Sequence, residues 1–121
     1  MTLQLNHKKT ILIAEDERIN YLLLQAMLKK MDFETLWAKN GLEAIRLCMM
    51  HPEIDLILMD IKMPIMDGIE ASLKIKQIRS TLPIIAQTAY DLTPEKRLLF
   101  EGYLKKPILK KHLSQQIAQH A

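Results

Sequence analysis

Short apolar runs, each closed by polar residues, punctuate the chain. Ile11-Leu12-Ile13-Ala14 leads to Glu15 and Asp16, and Ile54-Asp55-Leu56-Ile57-Leu58-Met59 leads to Asp60. Ile84-Ile85-Ala86-Gln87 leads to Thr88, and Tyr103-Leu104-Lys105 to Lys106. Their length and their Ile, Leu and Met content predict strands buried on both faces. Thr35-Leu36-Trp37-Ala38 predicts one more short strand, broken by Asn40-Gly41. Between these runs the apolar spacing becomes helical. After the acidic pair, Ile19, Leu22, Leu23, Ala26, Met27 and Met31 share one predicted helical face. Leu42 to Met50 predicts a second helix that stops before His51-Pro52. Gly68 opens a third, with an apolar side of Ile69 and Leu73, and of Ala71, Ile75 and Ile78, before Ser80-Thr81-Leu82-Pro83 breaks it. Thr93-Pro94 has the form of an N-cap followed by proline at the first helical position, and starts a short helix ending near Phe100 and Gly102. Leu109, Leu113 and Ile117, four apart, mark the last helix.

Strand and helix alternate five times, which predicts right-handed crossovers and a five-stranded, doubly wound parallel α/β sheet covered on both faces. The 121 residues suit one domain, placed at residues 9–120 behind a polar tail at 1–8. A net charge of +3, with no basic run interleaved with aromatics, argues against nucleic-acid binding. The lone Cys48, inside a predicted helix, excludes an intrachain disulfide or a Cys-based metal site and is expected to be a core thiol. The apolar stretches fall short of the ~20 residues a membrane span needs. The polar start lacks a signal-peptide apolar region, so a cytoplasmic location without membrane contact is expected. Met49, Met50, Met59, Met63 and Met66 are expected as core filler, and His7, His51, His112 and His120 show no metal-ligand spacing.

Ligands of parallel α/β sheets bind beyond the carboxyl ends of the strands, so Glu15, Asp16, Asp60, Thr88 and Lys106 are expected to converge. Three carboxylates in one pocket repel unless a cation sits among them, and Mg²⁺ suits an all-oxygen set. Asp60, with no neighbouring acid to relay a proton, reads as a nucleophile that forms an aspartyl phosphate. Thr88 could donate a hydrogen bond to a phosphoryl oxygen, with Ala89 leaving room, and Lys106 could pair with the same group. Lys105, one residue earlier and so facing the other way, reads as a surface charge.

These residues together resemble the receiver domain of two-component response regulators. The likeness runs from Lys9 to Ile117 on Ile13-Ala14-Glu15-Asp16, Met59-Asp60-Ile61-Lys62-Met63-Pro64, Met66-Asp67-Gly68, Thr88-Ala89 and Lys106-Pro107. It is nearest to the receivers of hybrid histidine kinases. The resemblance implies a flavodoxin-like fold of strand order 2-1-3-4-5. It implies that Asp60 takes a phosphoryl group from a histidine kinase or phosphotransfer protein. Mg²⁺ would then be held by Asp16, Asp60 and the main-chain carbonyl of Lys62, with Glu15 acting through water. Thr88 and Lys106 would hold the phosphoryl oxygens, Lys62 and Tyr90 would flank the site, and Tyr103 would be the aromatic switch residue. Lys106-Pro107 would be a cis peptide. Output would pass from the fourth helix, fifth strand and fifth helix to a downstream protein, with at most a weak homodimer. Two other classes share these residues. A Mg²⁺-dependent aspartyl-phosphate phosphatase would need a second acid where Lys62 stands, and a non-phosphorylated pseudo-receiver would not need the full set of Asp16, Asp60, Thr88 and Lys106. Between Thr88 and Lys106 the chain is shorter than a usual receiver by about one helical turn of ~3.6 residues, so a shortened fourth helix is expected.

Overall fold

The structure, a computed structural model, describes residues 8–121. The polar tail expected at 1–8 therefore lies, except for Lys8, outside the described residues. The elements in chain order are β1 (Thr10–Ala14), α1 (Arg18–Lys30), β2 (Glu34–Ala38), α2 (Gly41–Met50) and β3 (Ile54–Asp60). They continue with α3 (Gly68–Ile78), β4 (Ile84–Thr88), α4 (Pro94–Arg97), β5 (Gly102–Lys105) and α5 (Lys110–His120). All strand pairings are parallel, in the order β2-β1-β3-β4-β5. Among the described residues no helix is long and apolar enough to cross a membrane.

Alternation along the strands divides the core into two layers. Leu12, Ala14, Ile57, Met59 and Ile84 face α2 and α3, where Ala44, Cys48, Ala71 and Ile75 meet them. Ile11, Ile13, Leu56, Leu58 and Ile85 face α1 and α5, against Leu24, Leu28, Leu113 and Ile117. Cys48 is the expected core thiol, and burial pushes its pKa up to about 11, so it is unreactive near neutral pH. The Lys106-Pro107 bond is cis.

The buried faces of several helices differ from expectation. α1 buries Tyr21, Leu24 and Leu28, while Ile19, Leu22, Leu23 and Ala26 are exposed and Met27 and Met31 half-buried. Both stripes have helical spacing, so spacing alone does not choose between them. The stack of Tyr21 on Trp37, with ring centroids 4.4 Å apart, fixes the choice. α3 buries Ala71 and Ile75 as expected, but also Ser72, leaving Leu73 and Ile78 exposed. Leu109 is the exposed N-cap of α5 and not part of its buried face. Of the methionines, Met59 is buried and Met63 and Met66 pack on the core, whereas Met49 and Met50, at the end of α2, face solvent.

Thr93 caps α4 by accepting from the Lys96 N–H at 3.3 Å, and Pro94 opens the helix. This helix spans four residues, none of them buried, and Leu98 just after it is 86% exposed. One turn without packing is unstable on its own. Hydrogen exchange should find the amides of residues 95–102 far less protected than those of Ile11 to Ala14. Equal protection in the two segments would contradict this assignment of local stability.

Candidate functional site

Four strands end at one place. β1 delivers Glu15 and Asp16, and the Glu15 N–H bonds the Ala38 carbonyl at 2.9 Å. β3 ends on Asp60, whose Cα pairs with Gln87 in β4, and the Lys106 N–H bonds the Thr88 carbonyl at 2.8 Å. Asp67, which caps α3 through the Glu70 N–H at 2.9 Å, and the Gly68 N–H bond to the Ile61 carbonyl at 2.8 Å hold the loop after Asp60. That loop also contains Ile65 at φ 70°, an unusual backbone for a β-branched residue, and 79% exposed.

Carboxylate oxygens of Glu15, Asp16 and Asp60 lie within 4.8 Å of one another. Glu15 and Asp60 are buried and Asp16 is exposed, so the cluster has a closed floor and an open side. Lys106 reaches in from the end of β5, its Nζ 2.8 Å from Glu15 Oε1 and 3.0 Å from Asp60 Oδ2. Burial holds the Glu15 carboxyl above its ordinary pKa; the Lys106 ammonium only partly offsets this, and Asp60 adds to it. Burial alone would push Lys106 down, but hydrogen bonds to Glu15 and Asp60 more than reverse it, so its ammonium is held above the usual value. At Glu15 desolvation outweighs the nearby ammonium, whereas at Lys106 the hydrogen bonds to two carboxylates outweigh desolvation. One ammonium leaves three clustered carboxylates with excess negative charge. An all-oxygen set with one solvent-facing member fits Mg²⁺, which keeps several waters.

The other expected residues surround this cluster without all touching it. Thr88 is buried, and its Oγ1 accepts from the Tyr90 N–H at 3.1 Å. Tyr103 donates its hydroxyl to the Tyr90 carbonyl at 2.8 Å, and the Arg97 guanidinium lies 4.6 Å from the Tyr103 ring centre. Tyr90 thus connects Thr88 to Tyr103 through its two backbone groups. The Lys62 ammonium sits 4.2 Å from the Tyr90 ring centre, over the same edge of the site. Lys105 turns outward and pairs with Asp91 at 3.2 Å.

Two residues next to the site were not singled out by sequence. Trp37 donates its indole N–H to the Glu15 carbonyl at 2.7 Å, tying the acidic loop to β2. Its signal was being the sole tryptophan, one residue before the end of a strand. Gln87 is fully buried, and its Nε2 donates to the carbonyls of Ala14 at 3.2 Å and Leu58 at 3.5 Å. Its signal was a polar side chain closing an otherwise apolar run.

Acids, a hydroxyl and a lysine at the carboxyl edge of a doubly wound parallel sheet stand where domains of this α/β class bind their ligands. Residues 11–118 match the family model of the response regulator receiver domain, and the chain belongs to that family. It is 36% identical over 116 residues to the sensor histidine kinase GacS of Pseudomonas protegens, covering 88% of this chain and 12% of the kinase. It is 35% identical to the polar-differentiation response regulator DivK of Brucella anthropi, covering 83% of this chain and 85% of DivK. The chain thus spans about an eighth of the sensor kinase but most of DivK. Among solved structures, the response regulator TrrA of Thermotoga maritima in complex with Mg²⁺ and BeF superposes with a TM-score of 0.88 at 27% identity, covering 93% of this chain and 99% of TrrA. The receiver domain of Ssk1 from Saccharomyces cerevisiae, co-crystallised with the histidine phosphotransfer protein Ypd1, gives 0.85 at 31% identity, covering 93% of this chain and 88% of that one.

Proposed function

We propose that this domain is a phosphorylation-dependent switch in which Asp60 accepts a phosphoryl group from a phosphohistidine of a partner protein. The observation that carries this reading is Asp60 itself: 5% exposed, closing β3, clustered with Glu15 and Asp16, and 3.0 Å from the Lys106 ammonium. A carboxylate oxygen of Asp60 attacks phosphorus, the O–P bond forms as the P–N bond breaks, and the imidazole leaves with the electron pair and takes up a proton from water. Asp16, Asp60 and the Lys62 main-chain carbonyl would hold Mg²⁺, with Glu15 acting through water. Bound there, the ion neutralises charge on the phosphoryl oxygens. Lys106 then shifts toward those oxygens. The Thr88 hydroxyl also turns to them, leaving the Tyr90 N–H, and this disturbs the Tyr90 carbonyl that Tyr103 holds. The phosphatase alternative is disfavoured by Lys62, a cation engaged with Tyr90 at the position where that chemistry would need an acid.

The partner surface proposed is the apolar rim beside the acidic loop. Ile19, Leu22 and Leu23 of α1 are exposed there, and Ile65 stands exposed in the loop after Asp60. The likeness to a receiver solved with a histidine phosphotransfer protein supports a protein of that kind as the phosphodonor. Ile19→Asp with Leu22→Asp should slow transfer from a phosphorylated histidine phosphotransfer protein by roughly tenfold or more, the loss expected for central apolar anchors. Phosphorylation by a small phosphoryl donor with Mg²⁺ should stay unchanged in the same variant, and should stop in wild type when a chelator removes the ion. Equal slowing with both donors would place the phosphodonor elsewhere, and chelator-resistant phosphorylation would remove Mg²⁺ from the account.

A further inference from the structure

We infer that Gln87 gives the Lys106 ammonium a second seat, used when a divalent cation takes over the carboxylates that hold this lysine; the inference rests on the Mg²⁺ reading above. Gln87 shares strand parity with Ile85, so its side chain points into the layer between the sheet and α1 and α5. Its Nε2 donates to two main-chain carbonyls, Ala14 and Leu58, and this fixes the amide with nitrogen toward β1 and β3. Oε1 therefore faces the other way, and it is buried without a hydrogen-bond partner. A buried amide oxygen left unsatisfied is costly, and an apolar residue here would avoid that cost, as Ile84, Ile85 and Ala86 do.

Gln87, Glu15 and Lys106 line one pocket of about 140 Å³ that is open to solvent on one side and shared with Asn20, Leu23, Leu24 and Met27. The space is enough for an ammonium to swing. Both acceptors that Lys106 uses, Glu15 Oε1 and Asp60 Oδ2, belong to the carboxylate cluster that fits a divalent cation. A dication and an ammonium on the same carboxylates repel, and an ammonium displaced from them loses charge-assisted hydrogen bonds unless another acceptor is near. Gln87 Oε1 removes that penalty. It is neutral, so it does not compete for the cation, and it keeps Lys106 within reach of Asp60 until phosphoryl oxygens arrive to take the ammonium back. Gln87 is thus a positioning residue that acts through Lys106.

A double-mutant cycle read by calorimetric titration with Mg²⁺ alone tests this. In the Lys106 background, Gln87→Leu should weaken Mg²⁺ binding roughly tenfold or more, the low end of what losing a hydrogen bond to a charged group costs. In Lys106→Ala the same change should alter binding less than about twofold, because no ammonium needs the seat. Where Gln87→Leu folds poorly, Gln87→Met, unbranched and close in volume, serves the same cycle. The Gln87 side-chain amide resonances should also move on Mg²⁺ addition in wild type and stay put in Lys106→Ala. Equal weakening in both backgrounds, or none in either, overturns the inference and leaves the Mg²⁺ site standing. A wild-type protein that binds no Mg²⁺ overturns both.

Discussion

Gly68→Ala should cost the protein about 3 kcal/mol or more of stability and most of its phosphorylation, the largest effect expected of any one-methyl change in this chain. A Cβ on Gly68 runs into the Asp60 carbonyl oxygen, with the Asp60 carbonyl carbon at 2.9 Å and Ile61 Cα at 3.0 Å. These are backbone atoms of the strand end that presents the nucleophile, so nothing flexible can give way. The N-terminus of α3 must retreat, which breaks the Gly68 N–H bond to the Ile61 carbonyl and moves Asp60 relative to Glu15 and Asp16. Gly102→Ala is the matched control. There an added Cβ meets Gln116 Oε1, the tip of a side chain that can swing aside by giving up its bonds with the Tyr103 N–H and Gln119 Oε1, and lies 3.2 Å from Ile85 Cγ1. Urea denaturation should separate the two variants by about 2 kcal/mol. Equal losses would mean that the close approach at Gly68 is not what positions Asp60.

Lys106→Ala should be the second large effect, and its size should depend on Mg²⁺. Without the ion, the change leaves the fully buried Glu15 carboxylate without its 2.8 Å partner, and should destabilise the fold by about 1–3 kcal/mol. With Mg²⁺ present much of that loss should return, because the ion replaces the missing cation without a competitor. Phosphate uptake should persist at a lower rate, while the conformational response carried through β5 is lost. Lys105→Ala, which breaks only the exposed pair with Asp91, should stay within about 0.5 kcal/mol of wild type and respond normally. Thermal denaturation of both variants with and without Mg²⁺ decides between them. A Lys105 variant that loses the response while the Lys106 variant keeps it would assign the wrong lysine.

What could be read from sequence and what could not divide along physical lines. Strands buried on both faces write themselves as continuous apolar runs, and parallel topology sends their polar ends to one edge. Glu15, Asp16, Asp60, Thr88 and Lys106 could therefore be placed together before any coordinates. α1 was different, because its apolar residues cover most of its circumference: Tyr21, Leu24 and Leu28 and the stripe of Ile19, Leu22, Leu23 and Ala26 both have helical spacing. Only the stack of Tyr21 on Trp37 across to β2 shows which stripe is core. Leu109, Met49 and Met50 failed for a related reason, since they lie at helix ends where the chain turns away from the core. The roles of Trp37 and Gln87 depend on hydrogen bonds to residues 22 and 73 positions away, to Glu15 and Ala14, which no local pattern encodes. The linkage of Thr88, Tyr90 and Tyr103 was unreadable for the same reason, although Tyr90 and Tyr103 stood out by resemblance.

The central claim, that Asp60 carries the phosphoryl group, is tested most directly by trapping it. Phosphorylation with a small donor and Mg²⁺, followed by borohydride reduction, converts an aspartyl phosphate to homoserine, and peptide mass mapping then finds where it lies. Homoserine at position 60 alone, with none formed in Asp60→Ala, is the predicted result. Homoserine at Asp16 or any other acid in wild type, or a phosphoryl adduct that persists in Asp60→Ala, would contradict the account.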